Sequence, residues 1–142
     1  MSYFDFSSEV ARAVHEARDE PSKWSAKTTV HSARFPAAVR QAGFQFLWPG
    51  CPFVPGTHDL VIGAAPWSDP DLAALEDLAI LARSRNVRIN VFDVDDFNPE
   101  AMISLFPGIR RFMKTPMVLQ YRHGERTYFG EGHDAVLWLR QL

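Results

Sequence analysis

The residues able to do chemistry fall in a few short stretches of the chain. Cys51 is its one thiol, set in Trp48-Pro49-Gly50-Cys51-Pro52-Phe53-Val54. A cysteine acts through its thiolate, which a helix N-terminus or a nearby cation must favour. No lysine or arginine lies between Arg40 and Asp59, so the sequence favours a small buried side chain over a reactive one. Ser68-Asp69-Pro70-Asp71 puts a hydroxyl and two carboxylates at the start of an apolar-periodic stretch. Helix capping accounts for all three. Asp93, Asp95 and Asp96 form a carboxylate run after an apolar strand. Strand alternation turns Asp95 away from its neighbours, which predicts a solvated strand exit rather than a magnesium site. His15, His31, His58, His123 and His133 show no i,i+4 pair, so no metal site is expected. Arg110-Arg111 and Lys114 make a small basic patch before Thr115-Pro116, either a solvated face or one that steers an acidic partner.

Composition narrows the classes. A single cysteine excludes an internal disulfide, a CxxC dithiol and a multi-cysteine zinc site. With 15 Lys+Arg against 17 Asp+Glu, the net charge of -2 argues against a nucleic-acid module working through a basic face. At 46% apolar and 23% charged, the 142 residues suit one packed domain, since domains cluster near ~100–150 residues. No apolar run approaches the ~18 residues of a membrane span. Met1-Ser2-Tyr3-Phe4-Asp5 lacks the basic and apolar regions of a signal peptide. A cytoplasmic protein without a membrane or nucleic-acid partner is expected.

The elements that must position these residues follow from period and punctuation. Ser7 to Glu20 reads as a helix with Val10, Val14 and Ala17 on one face. Thr28 to His31 reads as a short strand. Ala33 to Ala42 reads as a helix closed by Gly43. Residues 44–57 hold three prolines and two glycines, which predicts an ordered loop with its aromatics packed on the domain. Asp59 to Ala65 is an unbroken apolar run, the mark of a strand covered on both faces. Asp69 as N-cap and Pro70 then open a helix to Arg85. Val87 to Val94 is a second strand, and Asn98-Pro99 opens a further helix to about Phe106. Met117–Arg122 and Glu125–Phe129 flank His123-Gly124, a hairpin turn, and after Gly132 a last helix runs from Asp134 to Leu142.

That order resembles the thioredoxin fold from Thr28 onward. Ala65-Pro66-Trp67-Ser68-Asp69-Pro70-Asp71 falls at the strand-to-helix turn where thioredoxins carry Trp-Cys-Gly-Pro-Cys. Trp67 and Pro70 match, while Ser68 and Asp71 stand at the two cysteine positions. Val94-Asp95-Asp96-Phe97-Asn98-Pro99 is similar to the family's strand exit, and Thr115-Pro116 to its cis-proline. The Tyr121–Glu125 hairpin resembles the family's last one. Pro116 lies 48 residues after Ser68, close to the family's spacing. The family's buried proton-shuttling aspartate would fall at Ile62. The resemblance implies an α/β domain over 28–142 with a mixed four- to five-stranded sheet flanked by helices. Residues 1–27 would form an extra N-terminal helical extension, and 44–57 an aromatic loop insertion.

With thiols and proton acceptor lost together, the resemblance implies no redox chemistry at the turn, no cofactor and no catalytic residue. It implies instead a protein-interaction, assembly or chaperone module. The cysteine-free thioredoxin-like accessory proteins of hydrogenase maturation are one similar case. Its partner, another protein, would meet Trp67, Ser68, Asp71, Thr115 and Pro116. Two rivals stand beside it. Cys51-Pro52-Phe53-Val54 resembles the first half of a glutaredoxin motif, which would make Cys51 a redox thiol, yet no helix follows it. The aromatic loop of Phe44, Phe46, Trp48 and Phe53 would alternatively serve a homo-oligomer interface. Ser68 as a glutathione-holding serine, as in glutathione transferases, lacks the helical second domain of those enzymes.

Overall fold

The computed structural model describes residues 34–109, 111 and 114–142. The helix expected over 7–20, the strand over 28–31 and the extension 1–27 lie outside the described residues. Residues 34–41 form helix α1. It ends in a Schellman motif: Gly43 takes a φ of 88°, its N–H reaches the Arg40 carbonyl, and the Phe44 N–H reaches that of Val39. Phe35, Ala38 and Val39 are buried on one face, as the sequence spacing requires.

The next element corrects the reading of 44–57 as loop alone. Gln45–Phe46 is a strand, β1, running parallel to a later strand with Phe46 opposite Val91. Phe44, Phe46, Leu47 and Cys51 are buried, so this stretch belongs to the core. Two residues are too few to show a period, and Pro49 stops the strand. Of the four rings suggested for an oligomer interface, Phe44 and Phe46 are buried, Phe53 is partly buried and packed edge-on to Phe106 and Tyr121, and Trp48 is half-exposed.

Strand β2, His58–Ala64, is central. It pairs parallel with β3, Arg88–Asp93, and antiparallel with β4, Met117–Arg122. Strand β5, Glu125–Glu131, completes the order β1-β3-β2-β4-β5. His123 and Gly124, at φ 52° and 82°, make the expected tight turn between β4 and β5. Helix α2, Asp69–Ser84, sits on one face with Leu72, Leu75 and Leu78 inward. Its N-cap is Ser68, one residue before the expected Asp69, because Ser68 keeps extended dihedrals while Asp69 is already helical. Asn98 caps α3, Pro99–Leu105, through its side chain and the Ala101 N–H at 2.8 Å. Helix α4, Gly132–Arg140, closes the domain.

The sheet divides two cores. Leu60, Ile62, Ile89 and Val91 face α1, α2 and α4, while Val61, Phe92, Leu119 and Tyr121 face α3 and the 47–53 stretch. A mixed five-stranded sheet in this order, covered by helices on both faces, is the thioredoxin-like α/β fold. Among the described residues no helix is long and apolar enough to cross a membrane.

Candidate functional site

The site lies where β2 and β3 end. The β2 chain leaves the sheet at Ala65, and the Ser68 N–H closes a turn onto the Ala65 carbonyl at 2.9 Å. That turn lifts Trp67 to 52% exposure at the C-terminal edge of a parallel strand pair, where open α/β sheets place their ligands. The indole is held in place: its N–H donates to Asp95 Oδ2 at 3.2 Å. Asp95 is itself held, its backbone N–H donating to Asp93 Oδ1 at 2.9 Å.

Asp93 departs from the solvated exit read from sequence. The strand ends there, and Val94–Asp96 form a 3-10 turn that breaks the alternation. Asp93 is buried opposite Ala64, while Asp95 and Asp96 are exposed. Burial is the first cause that lifts the Asp93 carboxyl to about 7, and Asp96 and Asp95 add repulsion. The Asp95 N–H opposes the rise. Asp96 is also raised, by partial burial and by Asp95.

Asp71 forms the floor. It is wholly buried, and its Oδ2 accepts the Ala65 N–H at 2.8 Å, tying the first turn of α2 to the end of β2. Burial raises its pKa, against the Ala65 N–H and the nearby hydroxyls of Thr115 and Ser68. Thr115 lies on the β4 side of β2, half-buried, with its bond to Pro116 cis. The Pro116 carbonyl accepts the Gly132 N–H at 3.0 Å, fixing this loop to α4. The structure thus gathers Ser68, Asp71 and Thr115 around one buried carboxyl, with Trp67 on the same turn. Asp93 and Asp95 are site residues the sequence reading missed. The parity of Ile89, Val91 and Asp93 along β3 is the signal that places Asp93 inward.

Cys51 stands apart. It is 7% exposed, on the stretch between β1 and β2, packed with Leu47, Phe92 and Phe106. Its N–H closes a turn on the Trp48 carbonyl, and no helix starts behind it. Of the described histidines, His58 contacts Gln120 at 3.1 Å, and burial lowers its pKa. No group of three or more potential ligands for a metal ion occurs among the described residues. In the basic patch, Arg111 is exposed beside a groove of about 430 Å³ shared with Arg126 and Phe129, and Arg110 lies outside the described residues.

No protein-family model matches the sequence. No curated protein sequence matches it either. Solved structures do resemble it. The germline-specific thioredoxin Deadhead of Drosophila melanogaster is 19% identical, covering 61% of this chain and 81% of its own, with a TM-score of 0.45. A point-mutant thioredoxin from Halobacterium salinarum is 20% identical, covering 68% of this chain and 86% of its own, at 0.49. ERdj5 is 18% identical over 73% of this chain and 14% of its own, at 0.45. The thioredoxin-like fold itself stands on the strand order and register given above.

Proposed function

We propose that this chain is a non-redox thioredoxin-like protein that binds another protein through the 67–71 turn and the Thr115–Pro116 loop. The observation that carries this reading is Trp67. A large aromatic is held half-exposed by a hydrogen bond to Asp95, at the edge where such sheets take ligands. A rigid, amphipathic side chain of this kind is the residue type that anchors interaction hot spots. The turn offers Ser68 and Asp71 in place of thiols. Serine is hardly ionised at neutral pH, and a buried carboxyl cannot resolve a mixed disulfide. Beside them, residue 115 presents backbone groups to an extended segment, in the manner of strand addition.

The test compares wild type, Trp67→Ala and Cys51→Ser as bait in the native cell extract, alongside an insulin-reduction assay with dithiothreitol. The reading expects a captured protein that Trp67→Ala loses and Cys51→Ser keeps, and turbidity no earlier than without protein. Reduction that disappears in Cys51→Ser overturns it in favour of a thiol enzyme. Capture insensitive to Trp67→Ala places the surface elsewhere.

A further inference from the structure

We infer that the groove between α2 and α4 is a contact surface for a second copy of this chain, paired about a two-fold axis. It is a surface separate from the Trp67 edge.

Both helices are apolar beyond the face that meets the sheet. Helix α2 puts Leu72, Leu75 and Leu78 inward, yet its outer side still carries Ile80, 55% exposed, and Leu81, partly buried. Helix α4 runs Ala135-Val136-Leu137-Trp138-Leu139 without a polar residue. Ala135 and Leu139 join the core, and Trp138 stacks on Tyr128 at 3.9 Å. Val136 is only partly buried, and Leu137 is 41% exposed. A surface helix keeps one apolar stripe and a polar back, and a helix apolar on further sides is one that a neighbour covers. Between the two lies a groove of about 330 Å³ lined by the buried Ala74, Leu78 and Leu139.

The charges along this groove select the occupant. Asp77 of α2 and Arg140 of α4 both line it, and both are exposed. An acid on one wall and a base on the other make a self-complementary surface. Two-fold pairing brings residue i of one copy to residue j of the other and j to i, so each Asp77 meets the second copy's Arg140. The same symmetry lets the exposed Ile80 of each copy enter the groove of the other. Two helices from each copy then pack as a four-helix layer, side-chain ridges of one pair in the grooves of the other. The groove runs along α2 from Ala74 onward, whereas Trp67 precedes the helix. Pairing there leaves both Trp67 turns open and joins two binding sites in one particle, which raises avidity for a partner that offers two segments.

The test is sedimentation of the full chain from micromolar to submillimolar concentration. It is read for wild type, Ile80→Glu, Asp77→Arg, Arg140→Asp and the double variant Asp77→Arg/Arg140→Asp, with circular dichroism as the check on folding. The three positions are exposed, so the fold is expected to survive each change. Wild type should sediment at twice the chain mass. Ile80→Glu should weaken the pair roughly a hundredfold, because it buries a carboxylate without a partner. Each single reversal should weaken it roughly tenfold by setting like charges together, and the double variant should regain wild-type association because opposite charges face again. Trp67→Ala should sediment as wild type. A single copy at every concentration overturns the inference, whether the groove stands empty or residues 1–33 of the same chain fill it. A pair that ignores Ile80→Glu, or that the double reversal fails to restore, overturns it as well. A pair lost in Trp67→Ala puts the contact at the Trp67 edge and equally overturns it.

Discussion

Replacing Asp93 by asparagine should stabilise the protein at alkaline pH and leave it unchanged in acid. The ordinary aspartate value of 3.8 applies to the unfolded chain, while burial and the neighbouring Asp96 and Asp95 lift the folded value to about 7. The folded state therefore keeps a proton that the unfolded state has already lost between these two values. Stability contributed by this group is intact below 3.8, falls as pH rises through the interval, and levels off above about 7. At 1.36 kcal/mol per pKa unit, the gap of about three units sets a ceiling of roughly 4 kcal/mol. Relaxation and water entry around the ionised carboxylate bring the expected loss to ~2 kcal/mol. Asparagine cannot ionise, and its Oδ1 can still accept the Asp95 N–H that Asp93 now receives. Urea unfolding of both proteins followed by circular dichroism across this pH range measures the difference directly. The variant should match wild type in acid and exceed it by ~2 kcal/mol in mild alkali. A difference that stays constant with pH refutes the reasoning, because the Asp93 carboxyl would then titrate alike in both states.

Three further outcomes follow from packing. Trp67→Ala removes a half-exposed ring and one hydrogen bond, so it should cost only ~1 kcal/mol by thermal melting, well short of the ~3–5 kcal/mol of a core aromatic. Gly63→Ala should cost ~1–3 kcal/mol in the same assay, because its Cβ would stand 2.5 Å from the ring of Phe92, itself locked between Phe97 and Phe106. Cys51 should react with a chromogenic disulfide much more slowly in the native protein than in denaturant, since its thiol is buried; equal rates contradict that placement.

The fold was legible wherever one residue's neighbours in sequence decide its structure. The unbroken apolar run of β2, the proline in the first turn of α2, the Asn98 cap and the His123-Gly124 turn each carry a local physical cause, and each element is found within a residue or two of its expected bounds. Strand β1 was not legible, because two residues show no period and its pairing is supplied by β3 across the sheet. The site was half legible. Its backbone positions follow from the turn, but the bond that places Trp67 joins it to Asp95, 28 residues away, and no local pattern announces such a contact. Asp93 was misread for a related reason. Alternation holds only to the strand end, where a 3-10 turn begins, and within the strand the parity of Ile89 and Val91 turns Asp93 inward.

The central claim, that this protein meets its partner at the Trp67 edge without thiol chemistry, is tested most directly by photo-crosslinking in the native cell. A photoreactive amino acid is placed at Ser68, beside Trp67, or at Ser84, an exposed position at the other end of α2. The account predicts an adduct with another protein from position 68 that persists in Cys51→Ser and is absent from position 84. An adduct with another protein from position 84 alone, or one from position 68 that vanishes in Cys51→Ser, would contradict it.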